Sequence, residues 1–234
     1  MLVTALLLIW SALPIPTTQP GGTIVLEPGF YDAVVIETPC TIRSRIKHMA
    51  IISAPPDRHG IDIRVPGCTI DGLGVVGGWD GIKFYADNTT IINNWVVHTK
   101  GQGIAGHGFS NCVVEGNTLE DNGTSPRLDH GVYIDGSNNI VANNIIRRPA
   151  AYGICIYPAG VGTVIFGNTI DGGGPDCSGV LFQGSGTAFG NTISNVDWGM
   201  DWRGIGPFVD GGNTSTKPER VDFLKGRVVK IPQP

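Results

Sequence analysis

Lys83, His107, His130 and Tyr133 are the side chains whose types could carry general acid–base chemistry. An imidazole with an ordinary pKa of about 6.5 can take a carbon-bound proton near neutral pH. A phenol can give a proton to a departing oxygen, and an ammonium can neutralise a carboxylate beside the acidified carbon. Arg127 adds a second cation, Tyr85 and Tyr157 could stack on a ring, and Gln183 and Arg203 add donors. Asp135 could orient a histidine, bind calcium, or be a lone surface carboxylate. Arg147 and Arg148 fall after a different turn and read as solvent-facing. These residues are spread over many tens of positions, so only a fold that superposes distant segments could bring them together.

The elements that would do so are visible as two ladders. Gly followed by Ile, Val or Met recurs at Gly81, Gly103, Gly131, Gly153, Gly179 and Gly199, at intervals of 22, 28, 22, 26 and 20 residues. A second ladder runs through Asn94, Asn117, Asn144, Asn168, Asn191 and Asn213. Short alternating runs such as "GIKFYA", "GVYIDG", "GICIYP" and "GVLFQG" separate them, each long enough for one strand before a turn. A period near 22 with several short strands is the pattern of a coil whose windings bury an apolar face only by stacking. The fold expected is all-β: a single-stranded right-handed parallel β-helix of about eight or nine rungs. Gly would serve the tight corner before each strand. Asn would tolerate a left-handed turn and bond its counterparts above and below.

Alternation then sorts the faces. With Ile82, Ile104, Val132, Ile154, Val180 and Met200 inward, one outward column holds Lys83, Ala105, Tyr133, Cys155, Leu181 and Asp201. The next holds Tyr85, His107, Asp135, Tyr157, Gln183 and Arg203. Rungs about 4.8 Å apart turn four of them into a stripe about 15 Å long, suited to an extended polysaccharide. The interval of 28 marks an insertion, residues 120–130, "EDNGTSPRLDH", which should form a cleft wall carrying Arg127, Asp129 and His130.

The opening "GGTIVLEPGFYDAVVIETPCTIRS", residues 21–44, together with the two ladders, resembles the pectin-lyase-like β-helix superfamily over most of residues 21–213. That resemblance implies the fold and a carbohydrate-active role, a set of activities spanning lyases, hydrolases, epimerases, esterases and binding proteins. The first expectation is a polysaccharide lyase that cleaves a uronic-acid polymer by β-elimination. His130 or His107 would be the base, Tyr133 the acid, and Lys83, Arg127, Arg147 or Arg148 the neutralising cation. The alternatives are a uronate C5-epimerase, a glycoside hydrolase, a non-catalytic glycan-binding or surface-assembly module, or a piece of a larger fibre. "GHGFS" at 106–110 and "DGI" at 80–82 are similar to polygalacturonase motifs, but Gln102 and Gly103 stand where that family's Asp-Asp pair would fall. "LDHG" at 128–131 keeps only Asp-His of the epimerase element. Calcium is the one cofactor to consider, and Asp80, Asp135 and Asp201 are dispersed for it.

Composition bounds the rest. A net charge of −4 with no basic stripe argues against nucleic acid as partner; the partner expected from the outward stripe and the resemblance is an acidic polysaccharide. None of the five cysteines forms a Cys-x-x-Cys pair, so no zinc site is expected. Cys40 and Cys68 open similar strings and should stack one rung apart, as a disulfide or as buried thiols. Residues 1–17 read as a signal peptide, with a secreted or cell-surface location and no stable span after its removal; capping of the core is the other reading. The β-helix domain is placed at 18–213, with 214–234 as a cap or tail.

Overall fold

The computed structural model describes residues 12–174, 177–204, 206–223 and 228–231. Three parallel sheets of ten, nine and nine strands wind into a solenoid of about eight turns, all-β as expected. Each winding lays down one strand of each sheet, beginning with Gly22–Leu26, Gly29–Asp32 and Val34–Ile36. Parallel pairing lets every strand bury one face in a shared interior. Ile82, Ile104, Val132, Ile154 and Val180 stand in register there, all fully buried. At the C-terminal end Phe182, Trp202 and Phe208 fill the interior, ring centroids 5.1–5.6 Å apart.

The Asn ladder bonds its counterparts above and below as expected, but the left-handed turn falls on the residue before each Asn. Asn94, Asn117, Asn144, Asn168 and Asn191 point inward and are buried. Their left-handed neighbours are the residues just before them, Asn93, Gly116, Asn143, Gly167 and Gly190, with φ between 54° and 64°. This division of labour explains the recurring Gly-Asn and Asn-Asn pairs. The first residue turns the chain from the first sheet into the second, and the second bonds across windings. Asn117 donates to Asn144 Oδ1 from both its backbone N–H and its side chain, each at 3.0 Å. Asn144 does the same to Asn168 at 2.9 Å.

The Gly ladder also differs in its physical cause. Gly81, Gly103, Gly131, Gly153 and Gly179 are absent from the left-handed positions. A Cβ at any of them would come within 2.3–2.9 Å of the carbonyl oxygen of the next glycine in the column. The same Cβ would strike an inward side chain, such as Leu119 at Gly103 and Ile146 at Gly131. The column is a seam where backbone meets backbone.

Of the residues read as a signal peptide, 1–11 lie outside the described residues. The remainder runs along the first winding, where Leu13 bridges Tyr31 and Ile15 packs on the core. Past residue 214 the coil continues, because Arg220–Phe223 and Val228–Ile231 extend the third and first sheets. The five cysteines are buried free thiols, with Cys40 and Cys68 on successive windings. Among the described residues no helix is long and apolar enough to cross a membrane.

Replacing Asn144 by Ala would remove the acceptor of the Asn117 backbone N–H and of one side-chain N–H, the amide donor to the Val114 carbonyl and one of the two donors to Asn168 Oδ1. The expected loss is about 2–4 kcal/mol in urea unfolding, whereas Asn143→Gly, at an exposed left-handed position, should change stability by only a few tenths. A loss below about 1 kcal/mol for Asn144→Ala would refute the ladder as the register lock.

Candidate functional site

Register on the third sheet brings the expected outward columns together. Lys83, Ala105, Tyr133, Cys155, Leu181 and Asp201 pair in sequence across successive windings. Tyr85, His107, Asp135, Tyr157, Gln183 and Arg203 follow two positions later in their segments. A third column precedes the glycine seam, visible where the N–H groups of Gly81, Gly103, Gly131 and Gly179 donate to the carbonyls of Gln102, His130, Tyr152 and Trp198. Sequence reading missed this one, because alternation counted from the strand stops at the glycine.

Tyr133 sits at the centre of an aromatic cluster. Its ring lies nearly parallel to His130 (5.7 Å, 8°) and stacks on His107 (6.2 Å, 27°). Tyr157 closes a third side at 5.5 Å, and Tyr152 lies 5.6 Å beyond His130. Burial pushes the Tyr133 phenol well above its ordinary pKa, with the Cys155, Tyr157 and Asp135 charges adding to the shift. Its proton is retained at any physiological pH.

The two histidines differ in kind. His130, expected on the rim, is only 5 % exposed. Burial holds it neutral, lowering its pKa to about 4 against a small opposing pull from Asp129. Its Nδ1 faces the Tyr152 backbone N–H at 3.2 Å and accepts from it, so the single ring proton resides on Nε2. That tautomer donates and has no free lone pair to act as a base. His107, by contrast, is 60 % exposed at its side chain, and its Nδ1 meets Asp135 Oδ2 at 3.1 Å. Asp135 is no lone surface carboxylate: it is 4 % exposed, and its charge beside Nδ1 favours the tautomer protonated there, which leaves the Nε2 lone pair free.

The insertion forms the expected wall. Asp129 Oδ2 accepts the N–H groups of Thr124 and Ser125 at 2.9 and 2.7 Å and closes the loop on itself. Gln102 ties it down, its Nε2 donating to the Leu128 carbonyl at 2.7 Å and its Oε1 accepting the His130 N–H at 2.6 Å. Between wall and sheet lies a cleft of about 600 Å³ lined by Arg127, His130, Tyr133, Tyr157, Gln183 and Arg203 among others. His107 stands beside it, against the Tyr133 ring, rather than in its lining, and Lys83 does not line it. Its amine is held 3.4 Å from Asp80 and 5.7 Å from the Tyr85 ring, two windings away from Tyr133. Arg203 is paired with Asp201, whose Oδ2 also accepts the Tyr152 hydroxyl at 2.9 Å. Arg127 has no ion pair among the described residues. Arg147 and Arg148 lie on the second sheet's side, bound to Glu120 and Asp121. Among the described residues calcium finds no fitting cluster, because Asp80, Asp135 and Asp201 each hold a different cation or imidazole on separate windings.

The family model described as "Right handed beta helix region" matches residues 33–198. Among solved structures, an alginate lyase from Paenibacillus sp. str. FPU-7 is 16 % identical, with a TM-score of 0.67 over 92 % of this chain and 94 % of its own. The pectate lyase Pel9A is 13 % identical, with a TM-score of 0.68 over 92 % and 72 %. A pectin methylesterase in complex with a hexasaccharide is 8 % identical, with a TM-score of 0.55 over 92 % and 85 %. At such identities the likeness is one of fold. No curated protein matches the chain.

The buried imidazole makes stability depend on pH. Because the folded pKa of His130 lies at about 4, below the unfolded value, the unfolded chain binds the extra proton between those two. The stability of the neutral ring is therefore full above about pH 6.5 and declines as pH falls toward 4, by on the order of 3 kcal/mol. Denaturant unfolding of the wild type and His130→Gln at pH 7.5 and pH 4.5 should show this extra acid sensitivity in the wild type alone. Equal slopes would refute it.

Proposed function

Because the chain belongs to the right-handed beta helix family, we propose that it cleaves a uronic-acid-containing polysaccharide by β-elimination in the cleft over Tyr133. The observation that carries this reading is the pairing of an oriented, solvent-facing imidazole with a phenol protonated at rest, at a ring separation of 6.2 Å. His107 Nε2 takes the C5 proton, the C5–H pair forms the C4–C5 double bond, and the C4–O4 bond breaks as the Tyr133 hydroxyl protonates the leaving oxygen. The step is redox-neutral, and proton exchange through solvent from His107 to Tyr133 restores both groups. Arg127, on the wall, neutralises the substrate carboxylate and so stabilises the charge that develops at C5. His130 keeps the Tyr133 ring in place and presents its Nε2–H to the cleft. Tyr157, Gln183 and Arg203 bind the sugars on one side, Lys83 and Tyr85 on the other. A polymeric substrate places the protein's action in the secreted or cell-surface space.

The adjacent rings of Tyr133 and Tyr157 also favour a second reading, a non-catalytic glycan-binding module that uses the same wall. Incubation with alginate, pectate and glycosaminoglycans separates the two. The lyase reading expects the ultraviolet band of an unsaturated uronate on at least one of them. Tyr133→Phe and His107→Gln should each lower kcat by about 10²- to 10⁴-fold, while Arg127→Ala should act mainly through KM. No unsaturated product on any polymer, with affinity falling only stepwise in the same variants, would establish the binder instead.

A further inference from the structure

The outward columns do not begin at Lys83 and Tyr85. Register carries them one winding back, to Asp62 beside Lys83 and to Arg64 beside Tyr85. There a second hollow of about 300 Å³ is lined by Asp57, Arg58, His59, Asp62, Arg64 and Tyr85 among others. Asp62 is 7 % exposed, and its Oδ2 accepts the Arg64 Nε and Nη2 donors at 3.2 and 2.9 Å. Its Oδ1 is buried with no hydrogen-bond partner. Folded proteins leave few such atoms, and each calls for a reason. Above it the Tyr85 ring is 43 % exposed, braced edge-on by Phe109 at 6.5 Å and by the Lys83 ammonium at 5.7 Å.

We propose that this hollow is a second subsite of the groove, which holds a sugar residue of the polymer through its hydroxyls, three windings from Tyr133. The proposal rests on the reading of the groove as a polysaccharide site. The chemistry of the hollow selects the hydroxyl edge of the sugar over its carboxylate. Asp57 and Asp62 oppose Arg58 and Arg64, and Glu37 lies 3.8 Å from Arg64, so no net cation is left for an anion. What the hollow offers is an acceptor without a donor, a guanidinium half in water and an exposed ring face. A pyranose supplies the complement, with hydroxyl donors for Asp62 after a turn of its carboxyl group, lone pairs for Arg64 and a flat apolar face for Tyr85. The interval from Asp62 to Tyr133 is three rungs, about 14 Å, several sugar units of an extended chain. A chain that fills both places is cleaved internally, and short oligosaccharides lose the distant contact.

Size-defined uronate oligosaccharides from disaccharide to hexasaccharide test this by calorimetric binding and by KM. The wild type should gain about tenfold in affinity once the chain is long enough to reach Asp62, and Asp62→Ala and Tyr85→Ala should erase that gain, so that the ratio of short- to long-chain affinity approaches one. Tyr85 is a surface residue, so its variant decides the matter even if Asp62→Ala does not fold. Affinity independent of length in the wild type, or a gain kept in the folded variants, overturns the subsite. Length-dependent binding lost in the variants but without unsaturated product keeps the subsite and sinks the lyase reading alone.

Discussion

Successive windings must stack without slipping, because a shift of one residue would exchange the inward and outward faces of every strand. Backbone ladders alone define such a register weakly, since each parallel bond resembles its neighbour. The Asn column removes the ambiguity. From Asn117 to Asn191 each side chain accepts two bonds from the Asn of the preceding winding and donates one to the Asn of the next, in an interior where an unmatched amide would be costly. The glycine seam adds a steric lock at another corner. The third sheet can therefore present His107, Tyr133 and Tyr157 at fixed separations although they lie on three different windings.

That rigidity allows burial to set chemistry. Tyr133 and His130 lie close to the protein interior, so each is held in its uncharged form, one as a retained phenol proton and the other as a neutral imidazole. His107 stands two positions further along its segment, past the edge of the sheet, and reaches solvent with only Asp135 behind it. The same stripe thus holds one buried histidine that donates and one exposed histidine whose outer nitrogen faces solvent. Sequence spacing could not separate them.

The windings were legible from the sequence because two corner requirements recur at every turn and leave Gly and Asn at countable intervals. The outward columns followed from counting alone, and the register pairs Lys83, Ala105 and Tyr133 as counted. What escaped were properties set by depth and by corners. Asp135 is buried just past the end of its strand, its carboxylate accepting the Gly136 N–H at 2.8 Å and lying 3.1 Å from His107 Nδ1. The column of Asp80, Gln102, His130 and Tyr152 escaped because it precedes the glycines, outside the alternating run. The physical reasons given to the ladders also had to change, since a turn residue and a stacking residue beside it leave similar traces in one sequence.

The insertion explains why chemistry concentrates at one level of an otherwise repetitive wall. A uniform solenoid offers shallow, open stripes, where water screens charges and a sugar meets side chains from one direction only. Lengthening a single corner, between the second and third sheets, raises a second wall opposite Tyr133. The added loop is no loose appendage, because Gln102 on the winding before holds both the Leu128 carbonyl and the His130 N–H. Gln102 is itself fixed, its backbone N–H donating to the buried Asp80 carboxylate at 2.8 Å, and that carboxylate also holds Lys83. A chain of hydrogen bonds therefore joins the Asp80 and Lys83 end of the groove to the cleft wall. Loss of the Gln102 side chain would leave the sheet and its aromatic cluster intact but let the wall swing, separating the cost of assembling the cleft from the cost of its acid and base.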